Sequence, residues 1–189
     1  MTGLDARKER LLEVACIITD KDLVPVDDGV TYVIQTPRSV LSGMDEWCTT
    51  THKATGLTDA CLAPDAPSHT AVRTAILAYV LDRVPDVRAA CLAGSTVHAD
   101  KTFLVNEMPE LVEHLHYRIV DVSTIKELVR RWYGPEKVWQ SHEAVRHRYV
   151  VLLTQRAGRY PRLDCRYVSY LIAELQFYRS TVFVPGGYA

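Results

Sequence analysis

No apolar run in this 189-residue chain approaches the ~18 residues that a membrane-spanning helix needs, and Tyr149 to Leu153 is typical of the longest. The start, MTGLDARKER, has no apolar core, so a secretory signal is not expected there. An excess of one charge is also lacking. The 22 Lys+Arg residues face 23 Asp+Glu, a formal charge of −1, which excludes a histone-like polycation but not a local basic groove. Paired cysteine spacing is absent: Cys16, Cys48, Cys61, Cys91 and Cys165 are scattered with no C-x-x-C, against both a disulfide framework and a zinc site. Cys16 and Cys91 lie in apolar runs, where a free thiol behaves as a small hydrophobe. A reducing, intracellular compartment is expected. Neither a Gly-x-Gly-x-x-Gly nor a P-loop pattern occurs, and there is no internal repeat or low-complexity linker.

What is present reads as one globular domain, with 48% hydrophobic and 24% charged residues. Arg10 to Asp20 is apolar on both alternating faces, the pattern of a strand covered on both sides. A turn at Asp20–Asp22 leads to a second strand at Val30–Thr36, and the two are expected to form a hairpin. Helical spacing links Val72, Ala75, Ile76, Tyr79, Val80 and Val84, and Pro85 ends it. Strands are expected at Val87–Ala93 and His116–Asp121. A helix should follow the second, with Thr124 and Glu127 as a capping box and Val122, Ile125, Val129 and Trp132 as its stripe. The last helix carries Val168, Leu171, Ile172, Leu175 and Arg179. This order, β-β-α-β-α-β-α-α, implies a layered α/β fold with a mixed sheet. One stretch stands apart: Val145–Arg166 holds six arginines and one acid, net +5, leaving −6 for the rest.

Sites in open α/β sheets form at the C-terminal ends of parallel strands. Two loops qualify here, Gly94–Asp100 and Val122–Thr124. Small residues admit a ligand to the backbone, and hydroxyls with helix N-terminal amides suit phosphate. From the residues alone, Asp100 is first of all a helix N-cap.

The run from Ala93 to Gly134, AGSTVHADKTFLVNEMPELVEHLHYRIVDVSTIKELVRRWYG, resembles the oligoribonucleases. These are small-fragment 3′-to-5′ exonucleases of the DEDD superfamily, and the eukaryotic branch fits best. MTGLD followed by LLEVACIITDKDL, Met44–Trp47 with Thr51-His52, and Ala173–Arg179 match as well. The resemblance covers most of residues 1–144 and 168–183, with the arginine-rich stretch of about 145–166 as an insertion into a single domain, 1–189. It implies a ribonuclease-H-like fold and hydrolysis by two divalent cations, Mg²⁺ or Mn²⁺, ~3.5–4 Å apart. Asp100 matches a metal-binding acid and His142 the histidine that takes the water's proton. Leu4 and Trp47 match the pair that wedges and stacks terminal bases. Tyr117, Arg118, Ser123 and Thr124, with Thr96 beside them, match the surroundings of the 5′ phosphate, partly across a homodimer. His98, His114 and His116 read as surface or core histidines. Short single-stranded RNA is the implied partner, with no membrane, in the mitochondrion or the cytoplasm.

Two departures stand out. The family's Asp-x-Glu and its central strand would precede Met1, which leads to the expectation of unpaired ladders on both sides of the gap and a shortened start. Five residues after His142 the chain has His147 in place of an acid. Asp164, 22 residues from His142, is the candidate for the displaced ligand, and the stretch Val145–Arg166 that holds it fits a retained intron. With these acids missing, little or no activity is expected, and the alternative is a binding or partner subunit without catalysis.

Overall fold

A computed structural model describes residues 1–139, 149–154 and 170–182, with backbone alone for 149–154 and 170–171. Strand β1 (Glu13–Thr19) pairs antiparallel with β2 (Val30–Val33), from Glu13↔Val33 to Cys16↔Val30, which is the expected hairpin. The turn after β1 is held by Asp20, whose Oδ1 accepts the amides of Asp22 (2.9 Å) and Val24 (3.0 Å). Three short helices follow, α1 (Arg38–Leu41), α2 (Glu46–Ala54) and α3 (Leu57–Leu62), then α4 (His69–Arg83). Helix α4 buries Val72, Ile76, Tyr79 and Val80 as its spacing requires.

Strand β3 (Ala90–Gly94) starts later than its apolar run suggests. Arg88 sits in the left-handed region (φ 62°) and gives its amide to the His114 carbonyl (2.7 Å), so the extended backbone begins only beyond it. Next come α5 (Val97–Glu107), α6 (Pro109–His114), β4 (His116–Asp121) and α7 (Val122–Tyr133). The expected capping box at Thr124 is displaced. Helix α7 begins three residues earlier, and Asp121 is its N-cap, accepting the Ser123 amide. Trp132 also leaves the expected apolar stripe: it is largely exposed, while Val122 and Val129 are buried.

Strand β5 (Tyr149–Thr154) and helix α8 (Tyr170–Thr181) complete the described residues. The sheet order is β2-β1-β5-β3-β4, with β3 parallel to β4, and β5 parallel to β1 but antiparallel to β3. Strand β5 therefore fills the middle of the sheet. This corrects the expectation of unpaired ladders: a strand from the arginine-rich stretch takes the central place. Unsatisfied amides and carbonyls, at about 1–3 kcal/mol each, are thereby avoided along β1 and β3.

Strand β1 is covered on both faces. Val14, Cys16 and Ile18 pack with Val72, Ile76 and Val80 of α4 and Phe103 and Leu104 of α5. Ile17 joins Ala93 with Val122 and Val129 of α7 and Ile172, Leu175 and Tyr178 of α8 on the other face. Among the described residues no helix is long and apolar enough to cross a membrane.

Candidate active site and nucleic-acid interface

Three strand ends meet at one edge of the sheet: the C-termini of the neighbours β3 and β4, and the start of β1. Gly94, at the end of β3, allows α5 to begin there. A Cβ on Gly94 would lie 2.7 Å from Cγ2 and 2.9 Å from Cβ of Val97, a fully buried residue. Gly94→Ala is expected to cost about 1–3 kcal/mol through this overpacking, read as a lower melting temperature.

Asp100 lies in the first turn of α5, but the N-cap position belongs to Thr96, which makes no side-chain cap bond. The simple cap reading of Asp100 is therefore overturned. Half-buried, Asp100 lines a small pocket of about 40 Å³ with Met1, Leu11, Glu13, Val14, Ala15 and Leu104. Two carboxylates, on β1 and α5, thus share one recess at the sheet edge.

Met1 ties this pocket to the rest of the face. The segment before β1 is folded on itself by the Thr2 amide on the Arg10 carbonyl (2.9 Å) and the Arg10 amide on Thr2 Oγ1 (2.9 Å). It is pinned to α5 where the buried Glu107 accepts the Leu11 amide (3.0 Å) and Asn106 Nδ2 donates to the Ala6 carbonyl (2.8 Å). His52 Nε2, on α2, donates to the Met1 carbonyl (2.9 Å). On this fixed backbone Leu4 is 89% exposed, and Trp47, in the first turn of α2, is 69% exposed. Asp45 caps that turn by accepting the Cys48 amide (2.7 Å). Leu4, Trp47 and Asp100 are thus held around one N-terminal segment.

A second group forms beyond β3 and β4. Ser123 Oγ lies 3.1 Å from Ser95 Oγ and 3.0 Å from Thr96 Oγ1. Beneath them Asp121 Oδ1 accepts the amides of Thr96 (2.9 Å) and Ser123 (3.0 Å), and Asp121 Oδ2 faces His98 Nδ1 at 3.2 Å. Burial pushes the Asp121 acid up, but the His98 ring and the two amides outweigh it and hold the carboxyl below its ordinary value.

Tyr117 and Arg118 are placed elsewhere. The β3–β4 register passes from Cys91↔His116 to Leu92↔Ile119, so both residues bulge from the edge strand β4. Tyr117 stacks on His116 (centroids 4.6 Å apart), and the Arg118 guanidinium lies 5.4 Å from the Tyr117 ring centre. Lys101 Nζ donates to the Tyr117 carbonyl (2.8 Å). Tyr117 to Asp121 alone spans about 13 Å of strand, so the bulge and the hydroxyl group are separate features within one chain. Thr124 is exposed on α7. His142 and Asp164 lie outside the described residues.

A family model described as exonuclease, of the RNase T type, matches residues 1–148. The chain is 41% identical over 184 residues to "Oligoribonuclease, mitochondrial" of Bos taurus, covering 97% of this chain and 70% of that protein. It is 48% identical over 132 residues to "Probable oligoribonuclease" of Schizosaccharomyces pombe, covering 70% of this chain and 52% of that one. The "Oligoribonuclease" of Mycobacterium tuberculosis (strain CDC 1551 / Oshkosh) is 36% identical over 185 residues, 98% of this chain and 79% of its own length. The chain belongs to the oligoribonuclease family of exonucleases.

Exonucleases of this family generally work with divalent metals, and hard cations want oxygen ligands. Glu13 and Asp100 have the right chemistry, but two acids fall short of the set that a pair of cations needs. Among the described residues no group of three or more His, Cys, Asp or Glu gathers around a point where an ion could sit. The described residues of this oligoribonuclease homologue therefore do not by themselves make a metal centre.

Three site residues escaped sequence reading. Asp121 gives only the ordinary signal of an acid before a helix, and His98 resembles a surface histidine. Glu13 looks like the edge of an apolar strand, and no spacing reveals that it opens onto the pocket of Asp100.

Proposed function

We propose that this chain removes mononucleotides from the 3′ end of single-stranded RNA a few nucleotides long. The observation that carries the reading is the convergence on one pinned N-terminal segment of two exposed apolar side chains, Leu4 and Trp47, with the acid-lined pocket of Asp100. Water penalises exposed side chains of that size, at about 25 cal/mol per Å² of apolar surface, and a fixed backbone cannot fold them away. Bases supply the missing apolar partner. Stacking accepts any base, which suits an enzyme that clears mixed fragments.

Asp100 is the carboxylate assigned to the scissile end, and Mg²⁺ or Mn²⁺ is the cation the family calls for. Thr96 and Ser123 are assigned to the far end of the substrate, and Thr124 to its margin. Tyr117 and Arg118, on an edge strand, are assigned to the same end through a second copy in a homodimer. A mitochondrial home agrees with the name of the bovine relative.

The test is mononucleotide release from end-labelled RNA of two to five nucleotides, with Mg²⁺ or Mn²⁺ and with EDTA. Trp47→Ala is expected to weaken dinucleotide binding by about 5- to 150-fold, equivalent to losing ~1–3 kcal/mol of stacking. Its melting temperature should stay near that of the unaltered chain, because an exposed ring leaves no cavity. Unchanged binding after Trp47→Ala would remove the basis of the reading.

A second reading is favoured by the short acid set: binding of short RNA without turnover. It predicts saturable binding that weakens steeply with salt and no mononucleotide product at any metal concentration.

A further inference from the structure

The geometry points to Asp121 as a positioning residue, whose carboxylate clasps the loop after β3 against the first turn of α7 and so sets the Thr96 and Ser123 hydroxyls for the substrate. The inference rests on the reading of Thr96 and Ser123 as substrate contacts and adds the residue that holds them.

The clasp follows from topology. Strands β3 and β4 are parallel neighbours whose last pair is Gly94↔Asp121, so the two loops leave the sheet side by side. Loops on separate strands have no covalent reason to keep a fixed spacing. Asp121 supplies one: a single oxygen, Oδ1, accepts the Thr96 amide at 2.9 Å and the Ser123 amide at 3.0 Å. Bonds to an ionised acceptor are roughly twice as strong as neutral ones, so this bridge holds better than an ordinary turn. The other oxygen is held by His98 Nδ1 at 3.2 Å, which fixes the rotation of the carboxylate.

Two further features fit a supporting role. The Asp121 side chain is only 11% exposed, while Ser95 and Thr96 face solvent, so the negative charge is spent on amides and the hydroxyls remain outward. Thr96 is held at φ 61° and ψ 32°, a left-handed conformation that a β-branched residue rarely adopts. That backbone state persists only when surrounding bonds over-determine it, and the Asp121 contact is one of them. A carboxylate would repel a phosphate placed directly upon it. Asp121 therefore acts through its neighbours and does not itself touch the substrate.

The test compares 5′-phosphorylated and 5′-hydroxyl dinucleotides with the unaltered chain, Asp121→Ala, Asp121→Asn and His98→Ala. Asp121→Ala should raise KM, or Kd if turnover is too slow to follow, about 10-fold for the phosphorylated dinucleotide, with kcat changed less than threefold. The hydroxyl form should be nearly indifferent. Asp121→Asn retains an acceptor oxygen and should rescue most of the loss. His98→Ala, at a largely exposed site, should fall between them and keeps the inference testable should Asp121→Ala not fold. An equal loss for both dinucleotides, no loss at all, or an Asn variant as weak as the Ala variant would overturn the clasp.

Amide hydrogen exchange separates this from the functional reading. The Thr96 and Ser123 amides should lose protection together in Asp121→Ala, or in His98→Ala if only that variant folds, and keep it in Asp121→Asn. If the unaltered chain binds no short RNA, the functional reading fails while the exchange pattern still decides the clasp. Exchange unchanged in every variant would refute it.

Discussion

Asp100→Ala is expected to cut mononucleotide release from a dinucleotide by on the order of 100-fold or more, while RNA binding changes less than threefold. The figure follows from the several kcal/mol that a charged group at a reacting phosphate contributes to the transition state. The purely structural account makes the opposite forecast. An acid in the first turn of a helix contributes about 0.3–1 kcal/mol to stability through the helix dipole, so its loss would lower the melting temperature slightly and leave turnover intact. Asp100 shares its pocket with Glu13, Met1 and the apolar Leu11 and Leu104, a setting with more of a recess than a surface cap has. Single-turnover rates and thermal melts on the same preparation separate the two accounts. A variant with full rate and a reduced melting temperature would remove Asp100 from the chemistry.

The second large effect is expected in the sheet. Leu152 of β5 is registered with Ile18 of β1 on one side and with Leu92 of β3 on the other. Leu152→Pro removes a backbone donor in a strand flanked on both sides and adds a ring where the neighbouring chain must approach. Such a change costs about 3 kcal/mol or more in regular structure. Here the loss is compounded, because β5 is the connection between the β1–β2 pair and the β3–β4 pair. Against a typical domain stability of 5–15 kcal/mol, we expect loss of the cooperative urea transition or a melting temperature lower by ten degrees or more. A variant that melts within a few degrees of the original would mean that the strand contributes little to the sheet.

Much of the framework is legible in the residues, and for plain reasons. A strand buried on both faces must be apolar on both, which is why Val14 to Ile18 stands out and why the hairpin with Val30–Val33 follows. Helix α4 shows its 3.6-residue period because one face alone meets the core. Helices α1 to α3 run for four, nine and six residues, too short for a period to emerge. Strand β5 was hidden differently. Its short apolar run fits a strand or a buried helical turn equally well, and the flanking arginines made composition the louder signal.

The candidate site was legible only in part. Asp100 announces itself as an acid after a small-residue loop, but nothing in its neighbours tells a cap from a pocket wall. That distinction needed the fold. Leu4 and Trp47 came from family resemblance, since no periodicity marks an apolar side chain that is meant to stay in water. Asp121 was hidden because one carboxylate at a helix start normally serves one helix. Its second partner, the Thr96 amide, is 25 residues distant in sequence and reaches it only because two strands are neighbours.

The position of β5 also bears on how the chain matures on the ribosome. The hydrogen-bonding edges of β1 and β3 can form early, but the segment that joins them emerges more than a hundred residues after β1. At ~5–20 residues per second the open edge of β1 waits on the order of ten seconds, and that of β3, made at Ala90–Gly94, roughly half as long. Open edges of that kind invite pairing with other nascent chains. Production of this protein should therefore be unusually sensitive to translation speed and to chaperone supply, because its central strand is added after the strands on either side of it.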